Sequence, residues 1–163
     1  MIIRGVEEMS ISDIIEEYLK NILHENEKKM IEIKRSEIAD QFECVPSQIN
    51  YVINTRFTME RGYIIESKRG GGGYIRIFRI EHQDEFELID EIIQMIQPKI
   101  SQQAAIDVLE RLEEKEVISL REKAIIFSGI EREALAVMLP ARDELRARIL
   151  TSILTTLKYI NKA

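Results

Sequence analysis

Tryptophan is absent from this chain, and only one cysteine, two histidines and three prolines occur among its 163 residues. A lone thiol, Cys44, cannot close an internal disulfide, so packing has to hold the fold together. His24 and His82 lie far apart, and no His/Cys cluster has familiar metal-ligand spacing. No apolar run is long enough to cross a membrane. Residues Met1 to Glu8 lack the apolar stretch and cleavage site of a secretory signal, which leads to the expectation of a cytoplasmic protein without a cofactor. No nucleophile–base pair or nucleotide loop points to catalysis, so an enzyme is not expected. Met9-Ser10-Ile11-Ser12-Asp13 reads as a natural beginning and suggests that the native start is Met9, the alternative being an ordinary N-terminal arm.

Glycine is also scarce, with seven in all, yet four stand together from Gly70 to Gly73 behind Lys68-Arg69. Tyr63-Ile64-Ile65-Glu66-Ser67 precedes the run and Tyr74-Ile75-Arg76-Ile77-Phe78-Arg79 follows it. Both are rich in aromatic and β-branched residues, which predicts a β-hairpin with a basic, glycine-softened tip. Consecutive glycines permit positive φ and close backbone approach. A P-loop is excluded because Tyr74-Ile75 opens a strand where a Lys-Ser/Thr pair should open a helix, and the dinucleotide fingerprint lacks its third glycine. A flexible linker is the remaining alternative.

Net charge is −6 but unevenly spread. Between Lys34 and Ile80 eight Lys/Arg outnumber five Asp/Glu, whereas from Glu81 onward eleven face sixteen. The local field, rather than the global sum, is what a phosphate backbone meets.

Ile11, Ile14, Ile15, Tyr18, Leu19, Ile22 and Leu23 recur at helical spacing, with Ser10 or Ser12 as cap. Met30 to Ile33 reads as a short strand, Lys34 to Phe42 as a short helix, and Glu43-Cys44-Val45 as a tight connection. Pro46-Ser47 opens a third helix. Helix, strand, helix, turn, helix and hairpin together predict a winged helix-turn-helix, in which the third helix enters the major groove and the hairpin touches backbone or minor groove. Ile49, Val52 and Ile53 form the buried side of that helix. Ser47, Gln48, Asn50, Tyr51 and Asn54 fill the rest, neutral hydrogen-bonding groups suited to base edges and phosphates. Lys68, Arg69, Gly70, Gly71, Gly72 and Gly73 are the predicted wing contacts.

Beyond a boundary near Glu81 to Asp84 the pattern becomes wholly helical. One apolar stripe holds Phe86, Ile89, Ile92, Ile93 and Ile96, and another Ala104, Ala105, Val108, Leu109 and Leu112. Ser119-Leu120-Arg121-Glu122 is a capping box, with Gly129 the expected terminator. Pro140 precedes a last helix with Leu145, Ile149, Ile153, Leu154 and Leu157 in its stripe. Short helices with broad apolar faces gain by pairing with a second copy. The expectation is a mainly α chain with a small β-wing, a winged helix-turn-helix DNA-binding domain at residues 1–81 and an all-α dimerisation domain at 82–163.

The blocks Glu32 to Asp40, Cys44 to Thr58 and Glu66 to Ile77 closely resemble the CtsR family, repressors of class-three heat-shock genes in Gram-positive bacteria. The resemblance implies a dimer that binds tandem-repeat operators ahead of protease and chaperone genes and releases them on heating, with the wing as the responsive element and Arg69 in the minor groove. It further implies a protein arginine kinase, its activator and Clp chaperone–protease complexes as partners. Arg35, Arg56 and Arg69 become candidate DNA contacts and candidate phosphorylation targets. A winged-helix adaptor that binds protein without reading DNA is the alternative from another class.

Overall fold

A computed structural model describes residues 8–68 and 73–160. They fall into two compact units, the first closing at Glu81 and the second opening at His82, each with its own core. The fold is mainly helical with one small antiparallel sheet, as expected.

In the first unit, α1 (Ile11–Glu25) begins at a reciprocal capping box between Ser10 and Asp13. Ile15, Leu19 and Leu23 are fully buried, with Tyr18 and Ile22 packed beside them. The expected stripe starts one turn too early, because Ile11 and Ile14 are exposed while Ser12 and Glu16 are buried. The cause lies across the interface. Another helix, α3 (Pro46–Arg56), lays Gln48 and Arg56 against that face, and partnered polar groups can be buried where lone ones cannot.

Strands β1 (Met30–Lys34), β2 (Tyr63–Ser67) and β3 (Tyr74–Arg79) form an antiparallel sheet in the order β1-β3-β2. Alternation assigns the faces. Ile31 opposite Ile77 and Ile33 opposite Ile75 point into the core. Arg76 lies opposite both Glu32 and Glu66, and its Nε donates to Glu32 Oε2 at 2.8 Å. Between β1 and α3 sits α2 (Arg35–Gln41), which buries Ile38 and Ala39. Phe42 follows it and packs edge-on against Tyr18, 5.2 Å between centroids. The α2–α3 turn is tight because Glu43 takes a left-handed φ of 52° and Cys44 N–H returns to Ala39 C=O at 2.9 Å.

The second unit comprises α4 (Glu85–Ile96), α5 (Gln102–Glu114), α6 (Leu120–Ile130) and α7 (Ala141–Ile160). Asp84, Ser101 and Ser119 cap the first three. α4 packs on α7, α5 on α6, and α6 on α7. Two expectations need correction. Gly129 does not end α6, which continues through it to Ile130, leaving Glu131 as the cap. In α7 the buried side is Arg146, Ala147, Leu150 and Leu154, one residue out of phase with much of the predicted stripe. Arg146 explains the shift: its guanidinium is only 1% exposed and donates to Ile130 C=O at 2.8 Å, Ile100 C=O at 3.0 Å and Asp143 Oδ1 at 2.6 Å. Ile153 and Leu157 instead face a shallow apolar groove shared with Ile125 and Ile126 of α6.

Candidate nucleic-acid interface

Successive helical residues turn by about 100°, so the sequence of α3 divides into two arcs. Ile49, Val52 and Ile53 occupy the buried one. Ser47, Asn50, Tyr51 and Asn54 are all exposed on the other, with Tyr51 at 54%. The predicted uncharged polar face therefore exists as a continuous surface. One of its proposed members, Gln48, and the separate candidate contact Arg56 lie elsewhere. Gln48 is half-buried and its Nε2 donates to Ser12 Oγ on α1 at 2.7 Å. Arg56 falls between Val52 and Ile49 on the helix, and its Nη1 pairs with Asp13 Oδ1 at 3.2 Å and Glu16 Oε2 at 2.9 Å. Those two side chains fasten α3 to α1. Arg56's angular position was readable from the sequence, though its acidic partners were not.

Arg35 opens α2, and its guanidinium spans two elements. Nε donates to Asn50 Oδ1 on α3, and Nη2 reaches Ser67 Oγ at the end of β2, 3.4 Å away. One side chain thus ties the exposed arc of α3 to the base of the wing. Lys68 is exposed, and its N–H closes the hairpin stem on Tyr74 C=O at 3.2 Å. Gly73 has φ +69°, a left-handed conformation that favours glycine, with open space where a Cβ would stand. Arg69, Gly70, Gly71 and Gly72 lie outside the described residues.

Sequence reasoning passed over Lys34. It is the cross-strand partner of Tyr74, with Nζ 4.8 Å from the ring centroid and 3.6 Å from Glu37 Oε1. Contact with the Tyr74 hydroxyl, then the Glu37 charge, raises its pKa, so the ammonium stays charged. The Lys34-Arg35 pair at a strand-to-helix junction was the available signal. Lys34, Arg35 and Lys68 all stand at the root of the wing, beside Tyr74 or Ser67, and Arg35 alone reaches α3 as well. Helix ends add to this. Ser10 caps α1, but neither Lys34 nor Val45 gives α2 or α3 a side-chain capping bond. In the first turn of α3, Pro46 has no N–H and Gln48 N–H returns to Val45 C=O at 2.9 Å, which leaves the Ser47 N–H without a side-chain cap and able to meet a phosphate oxygen. Among the described residues there is no His/Cys/Asp/Glu grouping able to hold a metal and no helix long and apolar enough to cross a membrane.

This geometry has known counterparts. Residues 10–81 match the model of the CtsR N-terminal HTH domain, and residues 84–155 match that of the CtsR C-terminal dimerization domain. The chain belongs to the CtsR family. The transcriptional regulator CtsR of Geobacillus stearothermophilus is 59% identical over 150 residues, covering 92% of this chain and 98% of that one. CtsR of Bacillus subtilis (strain 168) is 60% identical over 149 residues, with coverage of 91% and 97%. A crystal structure of CtsR in complex with a 26-bp DNA duplex superposes with a TM-score of 0.83 at 59% identity, covering 92% of this chain and 99% of that one. The chain is accordingly a transcriptional regulator, a DNA-binding helix-turn-helix repressor rather than an enzyme, with a second domain of the dimerising kind.

Proposed function

We propose that this chain represses heat-shock and Clp protease genes by gripping tandem-repeat operators, and that heat and arginine phosphorylation release it. In this reading residues 1–81 form the DNA-binding domain and 82–163 the dimerisation domain of a cytoplasmic homodimer. The observation that carries it is the link from Asn50 through Arg35 to Ser67. It makes the polar arc of α3 and the root of the basic wing one surface. Ser47, Asn50, Tyr51 and Asn54 enter the major groove, and Lys68 and Arg69 follow the backbone into the minor groove, whose narrow A·T tracts concentrate negative potential.

Heat acts on the glycines. Ordering one residue costs about 1–2 kcal/mol in TΔS, with glycine at the upper end. Four glycines at about 2 kcal/mol each lose roughly 0.7 kcal/mol more over a 25 °C rise, about threefold in affinity per wing and tenfold for a dimer. Phosphorylation by a protein arginine kinase, with its activator, replaces a cation by an anion. At Arg69 it turns attraction to DNA into repulsion, and at Arg35 it also parts α3 from the wing. At Arg56 it sets an anion beside Asp13 and Glu16 and loosens the unit itself. Clp complexes would then remove the released protein.

Footprinting of wild type and Arg69→Ala on promoter DNA upstream of the protein's own gene, across temperature, tests the reading. The expected result is a protected tandem site for wild type that fades on warming, and weak protection by the variant even when cold. Equal protection by both proteins at every temperature refutes the role of the wing.

A further inference from the structure

Asn50 and Asn54 are the two residues of the α3 arc with a carboxamide suited to an adenine, and the Asn50 amide is already engaged. A guanidinium carries donors only. The atom of Asn50 that faces Arg35 Nε is therefore its carbonyl oxygen, and the –NH2 group is the end left for DNA. Bidentate reading of adenine needs both ends: the amide N–H donates to N7 while the oxygen accepts from the N6 amino group. Here Arg35 takes one of the oxygen's two lone pairs, and its positive charge beside the other disfavours an incoming amino donor. Guanine presents N7 and O6, two acceptors side by side. The free –NH2 of Asn50 and the remaining N–H groups of Arg35 form an all-donor pair that matches that edge.

We infer that Arg35 holds Asn50 as a hydrogen-bond donor and, with its own remaining N–H groups, directs the pair to guanine and away from adenine. The inference rests on the DNA-reading assignment above and adds the base class read at one position. The bond to Ser67 keeps the guanidinium in place, because it anchors Nη2 to the strand while Nε faces the helix.

The test selects bound duplexes from a randomised DNA library with the full-length dimer, at low temperature and fixed salt. Wild type, Asn50→Ala, Arg35→Met and Arg35→Lys are compared. The base position whose preference disappears in Asn50→Ala identifies the contact. Wild type is expected to choose guanine there, and 7-deazaguanine at that position should weaken binding roughly fivefold to a hundredfold. Arg35→Met frees the oxygen and should move the preference to adenine at that position alone, while Arg35→Lys, still a cationic donor, keeps guanine. Adenine, cytosine or thymine chosen by wild type overturns the inference. So does an Arg35→Met protein that loses affinity evenly at all positions, because that is the signature of a phosphate contact. Failure of wild type to enrich any sequence removes the DNA-reading assignment and this inference with it.

Discussion

Replacing Glu16 by Gln removes the charge on which the seating of α3 depends. The carboxylate side chain is 12% exposed and stands 2.9 Å from Arg56 Nη1, 3.0 Å from Lys20 Nζ and 3.5 Å from Arg61 Nη1. Exposed pairs contribute about 0–1 kcal/mol, whereas hydrogen bonds to charged groups reach about 1.5–3 kcal/mol. Lys20 and Arg56 are each about a quarter exposed, so their shares are discounted toward the lower figure. Weighted this way, Lys20 contributes about 0.5, Arg56 about 1.5 and Arg61 about 1 kcal/mol. Glutamine keeps the shape and one acceptor, which leaves a net cost of about 2–3 kcal/mol. The chain has two units and no tryptophan, so a whole-molecule melt would mix two transitions. Hydrogen exchange resolves them. Slowly exchanging amides of α1 and α3 should speed up roughly 30-fold to 150-fold in Glu16→Gln, while α4, α5 and α7 stay unchanged. A double-mutant cycle with Arg56→Met should return a coupling of about 1–2 kcal/mol. Acceleration below about threefold, or equal acceleration in both units, would refute the clamp.

Two further outcomes concern the second unit. Arg146→Met leaves the carbonyls of Ile100 and Ile130 buried without their donor and should cost about 3 kcal/mol in denaturant unfolding; Arg146→Lys, which cannot reproduce the planar fork, should recover only part. The Glu122 carboxylate is held below the usual glutamate range by the backbone N–H of Ser119 and then by its side chain. A depressed folded pKa gives stability that is present above the unfolded value and lost as pH falls through the folded one. Acidification below the ordinary carboxylate range should therefore fray the first turn of α6, seen as faster exchange there, and Glu122→Gln should abolish that dependence.

Much of the molecule was legible in the chain because local chemistry decides it. Pro46 at a helix start, the alternating Ile75 and Ile77, and the Ser119-x-x-Glu122 box act within a few residues. The structure reproduces each of them. Failures occurred where a partner distant in sequence changed the value of a residue. Burying Glu16 is costly until Arg56 and Arg61, 40 and 45 positions away, supply their guanidinium groups. The α7 stripe slipped because Arg146, a charged residue by any local reading, is buried by two carbonyls and Asp143. Gly129 ended nothing because the helix hydrogen bonds around it carry on to Ile130.

By itself the sequence determined the order of elements, the uncharged face of α3 and the basic, glycine-rich hairpin, since periodicity and turn chemistry depend only on neighbours along the chain. Tertiary structure alone decided which polar groups in that region are free to meet DNA. Gln48 and Arg56 are spent on α1, and Arg35 is shared between Asn50 and Ser67. A hydrogen-bonding group has a fixed capacity, and only the folded arrangement says how much of it is already used.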